Sequence, residues 1–317
     1  MSALRFVALG DSLTEGVGDP VDGAWRGWAA LLADGLSGGP VEFHNLAVSG
    51  ARTRDVAERQ CAPGLALRPD VVSVVAGVND TLRGSFDIRT VAACLDEVCG
   101  AFAAQGAVLL TACLPDPGAM LGLPGLLGGP LARRQRAVNA VVHALSERYG
   151  AVHLHAHDEP WIAQRSMWSV DRLHPGERGH RQFAARFHAL LAREGVATGP
   201  APSTEPRLPP PTAAAGLRWM ATAGTGWIVR RCTDLVPQLL RLAGEELHHR
   251  LRGTRVRLDR RAANAVGAAL AALSPSPAPA PRGQVLLLPT GTNRTGVPGV
   301  ACAAEARSAA RTTAITG

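Results

Sequence analysis

A serine that follows a short apolar stretch is the first candidate for chemistry in this chain. Gly10-Asp11-Ser12-Leu13 comes directly after residues 4–9, an apolar run that predicts a strand. A turn at that point would lift the Ser12 hydroxyl above the carboxyl end of the strand, where open α/β sheets bind their ligands. Clusters of Gly, Asp and Ser usually mark ordinary turns, so the serine needs partners before it indicates catalysis.

An aspartate and a histidine three residues apart supply such partners. Asp171-Arg172-Leu173-His174-Pro175 precedes a predicted helix, and this spacing lets Asp171 and His174 contact each other within one turn. A serine hydroxyl attacks a carbonyl poorly unless an imidazole takes its proton, and a carboxylate fixes the tautomer of that imidazole. We therefore predict Ser12, His174 and Asp171 as catalytic residues for acyl transfer.

Two further residues follow predicted strands and could help to bind an oxyanion. Gly50 follows the second predicted strand and Asn79 the third. The backbone N–H groups of Ser12 and Gly50 and the side-chain amide of Asn79 are the candidate oxyanion hole, because the carboxyl ends of parallel strands converge on one edge. Taken singly, each position is also explained as a helix cap or a turn residue. Their occurrence together, in this order, favours a site.

These motifs together resemble those of the SGNH hydrolases, also called GDSL esterases and lipases. The matching segments are Gly10-Asp11-Ser12-Leu13, Gly50 after Asn45-Leu46-Ala47-Val48-Ser49, Gly77-Val78-Asn79-Asp80, and Asp171-Arg172-Leu173-His174-Pro175. The resemblance covers residues 4–195. It implies a flavodoxin-like three-layer α/β/α fold with a five-stranded parallel sheet in the order 2-1-3-4-5. It also implies an ester hydrolase without metal or cofactor, with a Ser12–His174–Asp171 triad and an oxyanion hole from Ser12, Gly50 and Asn79.

Strands and helices that alternate along residues 1–195 predict the sheet that positions these residues. Residues 71–76 form a nearly continuous β-branched run, as a strand buried on both faces requires. The other strands are predicted over residues 4–9, 41–47, 107–112 and 151–157. Helices are predicted over residues 24–36, 53–60, 88–104, 132–149 and 176–193.

The segment 115–130 is rich in Gly, Pro and Leu without helical periodicity, which predicts a long apolar loop. Long loops in compact domains are often functional. Leu121, Leu123, Leu126 and Leu127 are therefore predicted to bind substrate as the lining of an acyl pocket. The alternative is a hydrophobic flap that packs down on the domain.

Three histidines at alternating positions raise the question of a metal. His153, His155 and His157 would share one face of a strand, and three imidazoles can bind zinc. We favour partly solvated structural histidines and predict no metal site. The six cysteines show no CxxC pair and are predicted to be reduced thiols.

The net charge of +7 resides in the last third of the chain. The sequence predicts a hydrolase domain over residues 1–198, a Pro-rich linker over 199–213, an Arg-rich helical extension over 214–273 and a disordered tail over 274–317. The Arg-rich helix could dock on the core or lie on an anionic membrane surface, and we expect docking. No aromatic-interleaved basic motif indicates nucleic-acid binding.

The function predicted from these residues is that of a serine esterase acting on a small or medium carboxylic ester. An acyltransferase or thioesterase would use the same triad, and a non-catalytic binding module could keep the same fold. No secretory signal precedes the first strand, so we expect a cytoplasmic protein. The oligomeric state is left open.

Overall fold

Five parallel strands form the central sheet of the computed structural model, which describes residues 3–210, 212, 214 and 235–273. The strands of this described part are β1 Leu4–Gly10, β2 Pro20–Val21, β3 Ala24–Trp25, β4 Val41–Asn45, β5 Val71–Val75, β6 Val108–Ala112 and β7 Val152–Leu154. The large sheet has the order β4-β1-β5-β6-β7, and β2 pairs with β3 in a separate hairpin. Counted in chain order, the strands of the large sheet run 2-1-3-4-5, which confirms the predicted topology.

Helices cover both faces of the sheet. They are α1 Ser12–Glu15, α2 Gly27–Leu36, α3 Thr53–Asp55, α4 Cys61–Ala66, α5 Val78–Thr81, α6 Ile88–Ala104, α7 Pro117–Met120, α8 Gly125–Arg148, α9 Glu177–Arg193, α10 Leu235–Leu251 and α11 Val256–Ala271. A π-helical stretch, Val56–Gln60, joins α3 to α4. Within the described residues, no helix is both long enough and apolar enough to cross a membrane.

Two hydrophobic cores lie on opposite sides of the sheet. Helices α2 and α9 pack on one face, where the rings of Trp28 and Phe187 stack with centroids 4.9 Å apart. Helices α4, α6 and α8 pack on the other face. All of β5 is buried, with Val71 facing the first core and Val72 the second. A central parallel strand thus contacts helices on both sides, which explains its apolar sequence.

The prediction of a long loop over residues 115–130 is wrong. The segment instead forms α7 and the first turns of α8, which begins at Gly125 and contains Pro130. Gly and Pro have low helix propensity, so the sequence pattern does not predict this helix. Close packing explains the glycines, because a Cβ atom on Gly118 would lie only 2.8 Å from the Cα atom of Gly128.

Helices α10 and α11 of the C-terminal extension contact the helical layer formed by α6 and α8. Arg133 on α8 donates hydrogen bonds to Glu246 of α10 at 3.0 Å and to Asp259 of α11 at 2.9 Å. Glu246 is only 2% exposed, so its charge depends on its two arginine partners, Arg133 and Arg255, the second at 2.7 Å. Residues 215–234, with Trp219 and Trp227, and the predicted tail 274–317 lie outside the described residues.

Candidate active site

The turn between β1 and α1 fixes the position of Ser12. Gly10, two residues before Ser12, is held by the side-chain amide of Gln60. The amide oxygen accepts from the Gly10 N–H at 2.8 Å, and the amide nitrogen donates to the Gly10 carbonyl at 2.9 Å. A Cβ atom at Gly10 would lie 2.3 Å from the Val75 carbonyl oxygen, so only glycine fits there. Asp11 caps α1 by accepting from the Leu13 N–H at 3.1 Å. Ser12 therefore starts a helix at the carboxyl end of β1.

Ser12, His174 and Asp171 form a continuous hydrogen-bonded relay. The Ser12 Oγ lies 2.8 Å from the His174 Nε2, and the His174 Nδ1 lies 2.6 Å from the Asp171 Oδ2. With a proton on Nδ1 held by the carboxylate, Nε2 can accept the serine proton. This is the arrangement that nucleophilic attack by a serine requires.

The other oxygen of Asp171 is also fully engaged. Its Oδ1 accepts from the backbone N–H groups of Leu173 and His174, at 2.9 and 3.0 Å, and from the Ser169 hydroxyl at 2.6 Å. Burial acts to raise the pKa of Asp171, but hydrogen bonding and the charge of His174 outweigh it and hold that pKa well below its usual range. The carboxylate is therefore ionised and fixed in position opposite the imidazole.

The segments that carry the predicted oxyanion donors Gly50 and Asn79 contact the serine turn, through Val48 and Asn79 respectively. Gly50 has a left-handed backbone with φ +81°, and Asn79 lies in α5. Among the described residues, no hydrogen bond uses the backbone N–H of Ser12 or of Gly50. The Asn79 Nδ2 donates to the Asp11 Oδ2 at 3.2 Å and to the Ala51 carbonyl at 3.1 Å. To stabilise a developing oxyanion, the amide would exchange one of these contacts for that oxygen.

Asp11 and Asp80 flank Ser12 and Asn79 in the sequence, a position that favours a role in holding loops through backbone N–H groups over a chemical role, and Asp11 is a buried carboxylate. It is 3% exposed, and burial raises its pKa to about 6, against the opposing effect of the Leu13 N–H. Asp80, the neighbour of Asn79, is also buried and accepts from the Thr53 N–H and hydroxyl at 3.0 and 2.8 Å. These two carboxylates fix the loops that carry the oxyanion donors.

A narrow cavity of about 40 Å³ opens beside the serine and the histidine. Since one water molecule needs about 10–15 Å³ by this measure, the cavity has room for only a few heavy atoms. Its walls are largely apolar and include Leu13, Val78, Leu114, Met120, Trp168 and Phe183. Leu13 and Val78 belong to the quoted motifs and Met120 to the segment 115–130, whereas Leu114, Trp168 and Phe183 carried no sequence signal.

The four leucines predicted to bind substrate do not line this cavity. Leu121, Leu123, Leu126 and Leu127 lie at the junction of α7 and α8. Leu123 packs near Leu131 in a separate small cluster. The folding of residues 117–148 into two helices explains the difference, since Met120 at the end of α7 faces the cavity instead.

The described residues contain one cluster of four potential metal ligands, and none of them belongs to the relay. His153 and His155 from the alternating histidines join Cys113 and His143 there. His157 lies in a 3-10 turn, Ala156–Asp158, because β7 ends at Leu154 rather than continuing through residue 157.

Comparison with known proteins identifies the relatives of this chain. A sequence model of the GDSL-like Lipase/Acylhydrolase family matches residues 8–182, more than half of the chain. A comparison with curated protein sequences gave no match.

Solved structures share the fold at low sequence identity. Axe2, an acetylxylan esterase from Geobacillus stearothermophilus, is 20% identical with a TM-score of 0.50, over 60% of this chain and 94% of that protein. A candidate GDSL-like lipase from Parabacteroides merdae is 18% identical with a TM-score of 0.52, over 60% and 95%. TesA is 22% identical with a TM-score of 0.50, over 60% and 98%. At these identities the likeness establishes the fold alone.

Proposed function

Since the chain belongs to the GDSL-like lipase/acylhydrolase family, we propose that it hydrolyses carboxylic esters through an acyl-enzyme formed on Ser12. Family membership supports ester hydrolase activity in general. The observation that carries the serine mechanism is the relay from Ser12 Oγ to His174 Nε2, at 2.8 Å, and from His174 Nδ1 to Asp171, at 2.6 Å.

The first half of the reaction forms the acyl-enzyme. The Ser12 Oγ attacks the ester carbonyl while the His174 Nε2 takes the hydroxyl proton, and Asp171 stabilises the resulting imidazolium. The carbonyl oxygen becomes an oxyanion that accepts from the Ser12 N–H, the Gly50 N–H and the Asn79 amide. Each such donor contributes about 3–4 kcal/mol to lowering the barrier. His174 then protonates the alcohol, which leaves.

The second half releases the acid. Water attacks the acyl-enzyme carbonyl, His174 accepts the proton of that water, and the same three donors stabilise the second oxyanion. Return of the proton to the Ser12 Oγ expels the carboxylic acid and restores the relay.

The cavity favours a short acyl group. Its volume of about 40 Å³ and its apolar walls suit an acetyl to butyryl chain. We therefore propose a short-chain esterase rather than an enzyme for long-chain lipids.

Hydrolysis of p-nitrophenyl esters from acetate to palmitate tests this proposal. We expect kcat/KM to be highest for acetate or butyrate and to fall steeply for longer chains. Ser12→Ala should lose activity by at least about 10³-fold, because no nucleophile remains, whereas Ser85→Ala, at an exposed serine, should keep it. Activity that survives in Ser12→Ala would contradict the mechanism, and a palmitate optimum would contradict the assigned acyl length. Adding an alcohol acceptor would reveal any transferase activity by ester formation.

A further inference from the structure

Four side chains from three elements converge at the carboxyl ends of β6 and β7. Cys113 follows β6, His153 and His155 lie in and after β7, and His143 lies on α8. The register pairs Ala112 with Leu154, which brings the residues that follow them side by side. One ligand atom from each of the four side chains lies within 4.8 Å of the other three. The centroids of the three imidazole rings are 4.6 to 5.0 Å apart.

A chain of hydrogen bonds fixes the tautomer of His153. The Ser146 hydroxyl donates to the Val142 carbonyl at 2.6 Å, and a carbonyl can only accept. Since Ser146 has no second hydroxyl proton, the Thr111 hydroxyl must donate to Ser146 at 2.7 Å. The His153 Nδ1–H then donates to Thr111 at 2.9 Å. His153 therefore carries its proton on Nδ1, and its Nε2 presents a lone pair to the cluster.

That lone pair has no partner within the described part of the chain. The His153 Nε2 is buried without a hydrogen bond, beside the rings of His143 and His155. A buried acceptor without a donor is unfavourable, and a water molecule or an ion bound to it would remove the penalty. Histidines that bind metals commonly donate their other ring N–H to a protein oxygen, as His153 does. Packing alone leaves this atom unexplained.

The environment of Cys113 also suits a ligand. Its side chain is buried, and its sulfur lies within 4.8 Å of a ring nitrogen of each of the three histidines. A cation bound among these nitrogens would stabilise the Cys113 thiolate.

We propose that Cys113, His143, His153 and His155 bind one zinc ion. One thiolate and three neutral imidazoles complete the tetrahedral coordination that zinc prefers. In such a site the ligand atoms lie about 3.3–3.8 Å apart, as follows from Zn–N and Zn–S bonds of about 2.1 and 2.3 Å. Small side-chain rotations bring atoms already within 4.8 Å of one another to these separations. Binding displaces the Cys113 proton to solvent.

Four protein ligands leave no coordination position for water, so the zinc is structural. It links α8 to the carboxyl ends of β6 and β7. Cys113 directly precedes Leu114 and Pro115, which line the cavity beside Ser12. Asn139 of α8 holds the same segment by accepting from the Leu114 N–H at 3.0 Å and donating to its carbonyl at 2.8 Å. The ion thus supports one wall of the cavity without entering the reaction. This departs from the expectation of no metal site.

Metal titration of the untagged full chain, after removal of metals by a chelator, tests the site directly. We expect one equivalent of Zn²⁺ to bind in competition with a chromophoric chelator. One equivalent of Co²⁺ should give the intense visible bands of tetrahedral cobalt and a thiolate charge-transfer band. His155→Ala changes an exposed side chain and should weaken binding at least tenfold, as should His143→Ala. Cys113→Ser should lose the charge-transfer band.

His157→Ala is the matched control, because this exposed histidine lies outside the cluster. It should bind zinc like the unaltered chain. Zinc should also raise Tm in the unaltered chain and in His157→Ala but not in His155→Ala. Substoichiometric binding, octahedral cobalt spectra, or equal affinity in His155→Ala and His157→Ala would each overturn the proposal. Because binding and Tm are the readouts, the test does not depend on esterase activity.

Discussion

Replacing Asp11 by asparagine tests whether a buried carboxylate beside the nucleophile opposes folding at neutral pH. Asp11 is 3% exposed, and burial raises its pKa from 3.8 to about 6. One pKa unit corresponds to about 1.4 kcal/mol, so ionising Asp11 in the folded protein costs about 3 kcal/mol. Because the folded pKa is the higher one, the stabilisation is complete below about pH 3.8 and is lost as the pH rises through about 6.

Asparagine has nearly the same shape and does not titrate. The free energy of unfolding of Asp11→Asn, relative to the unaltered chain, should therefore increase by up to about 3 kcal/mol from pH 4 to pH 7. Any change in the hydrogen bonds to Leu13 and Asn79 is independent of pH and cancels in this comparison. Urea unfolding at both pH values, followed by circular dichroism, measures the difference. A stability difference that is the same at pH 4 and pH 7 would refute the reasoning.

Two further substitutions test the oxyanion hole and the docked extension. Asn79→Ala should lower kcat for p-nitrophenyl acetate about 10²–10³-fold with little change in KM, because the amide acts on the oxyanion and not on the bound ester. Steady-state kinetics measure both constants. A rise in KM as large as the fall in kcat would argue against this role. Arg133→Met should lower the free energy of unfolding by about 1.5–3 kcal/mol, because it removes one of the two charged donors to the buried Glu246 carboxylate, which keeps Arg255. Arg136→Met, at a largely exposed arginine, should change the free energy of unfolding little in the same urea titration. Equal losses in Arg133→Met and Arg136→Met would show that Arg133 does not hold the extension.

Sequence reasoning located the relay because its signals are local and ordered. Ser12, Gly50 and Asn79 each follow a strand with a clear apolar pattern, and parallel strands bring such positions to one edge. The spacing of Asp171 and His174 places both on one turn, where the Asp171 Oδ2 lies 2.6 Å from the His174 Nδ1. The relay residues were therefore predictable, because each is marked by the apolar pattern or the spacing of its near neighbours in the sequence.

Features that depend on packing were not predictable. The start of α8 lies in a Gly- and Pro-rich segment whose helix propensity is low, and only its contact with α7 explains the helix. For the same reason Met120, and not Leu121 or its neighbours, reaches the cavity.

The ligand cluster was hidden for a related reason. His153 and His155 alternate visibly, but Cys113 and His143 come from other elements at no characteristic spacing. The four side chains come together only through the register of β6 against β7 and the orientation of α8 about its axis.

Covalent trapping tests the central claim most directly. A p-nitrophenyl alkylphosphonate with a short alkyl chain should react once per chain, release one equivalent of p-nitrophenol and abolish esterase activity. Mass spectrometry of a digest should place the phosphonyl group on Ser12, and His174→Ala should react far more slowly because no base takes the hydroxyl proton. A modification on any other residue, or equal labelling of Ser12→Ala, would contradict the assignment of Ser12 as the nucleophile.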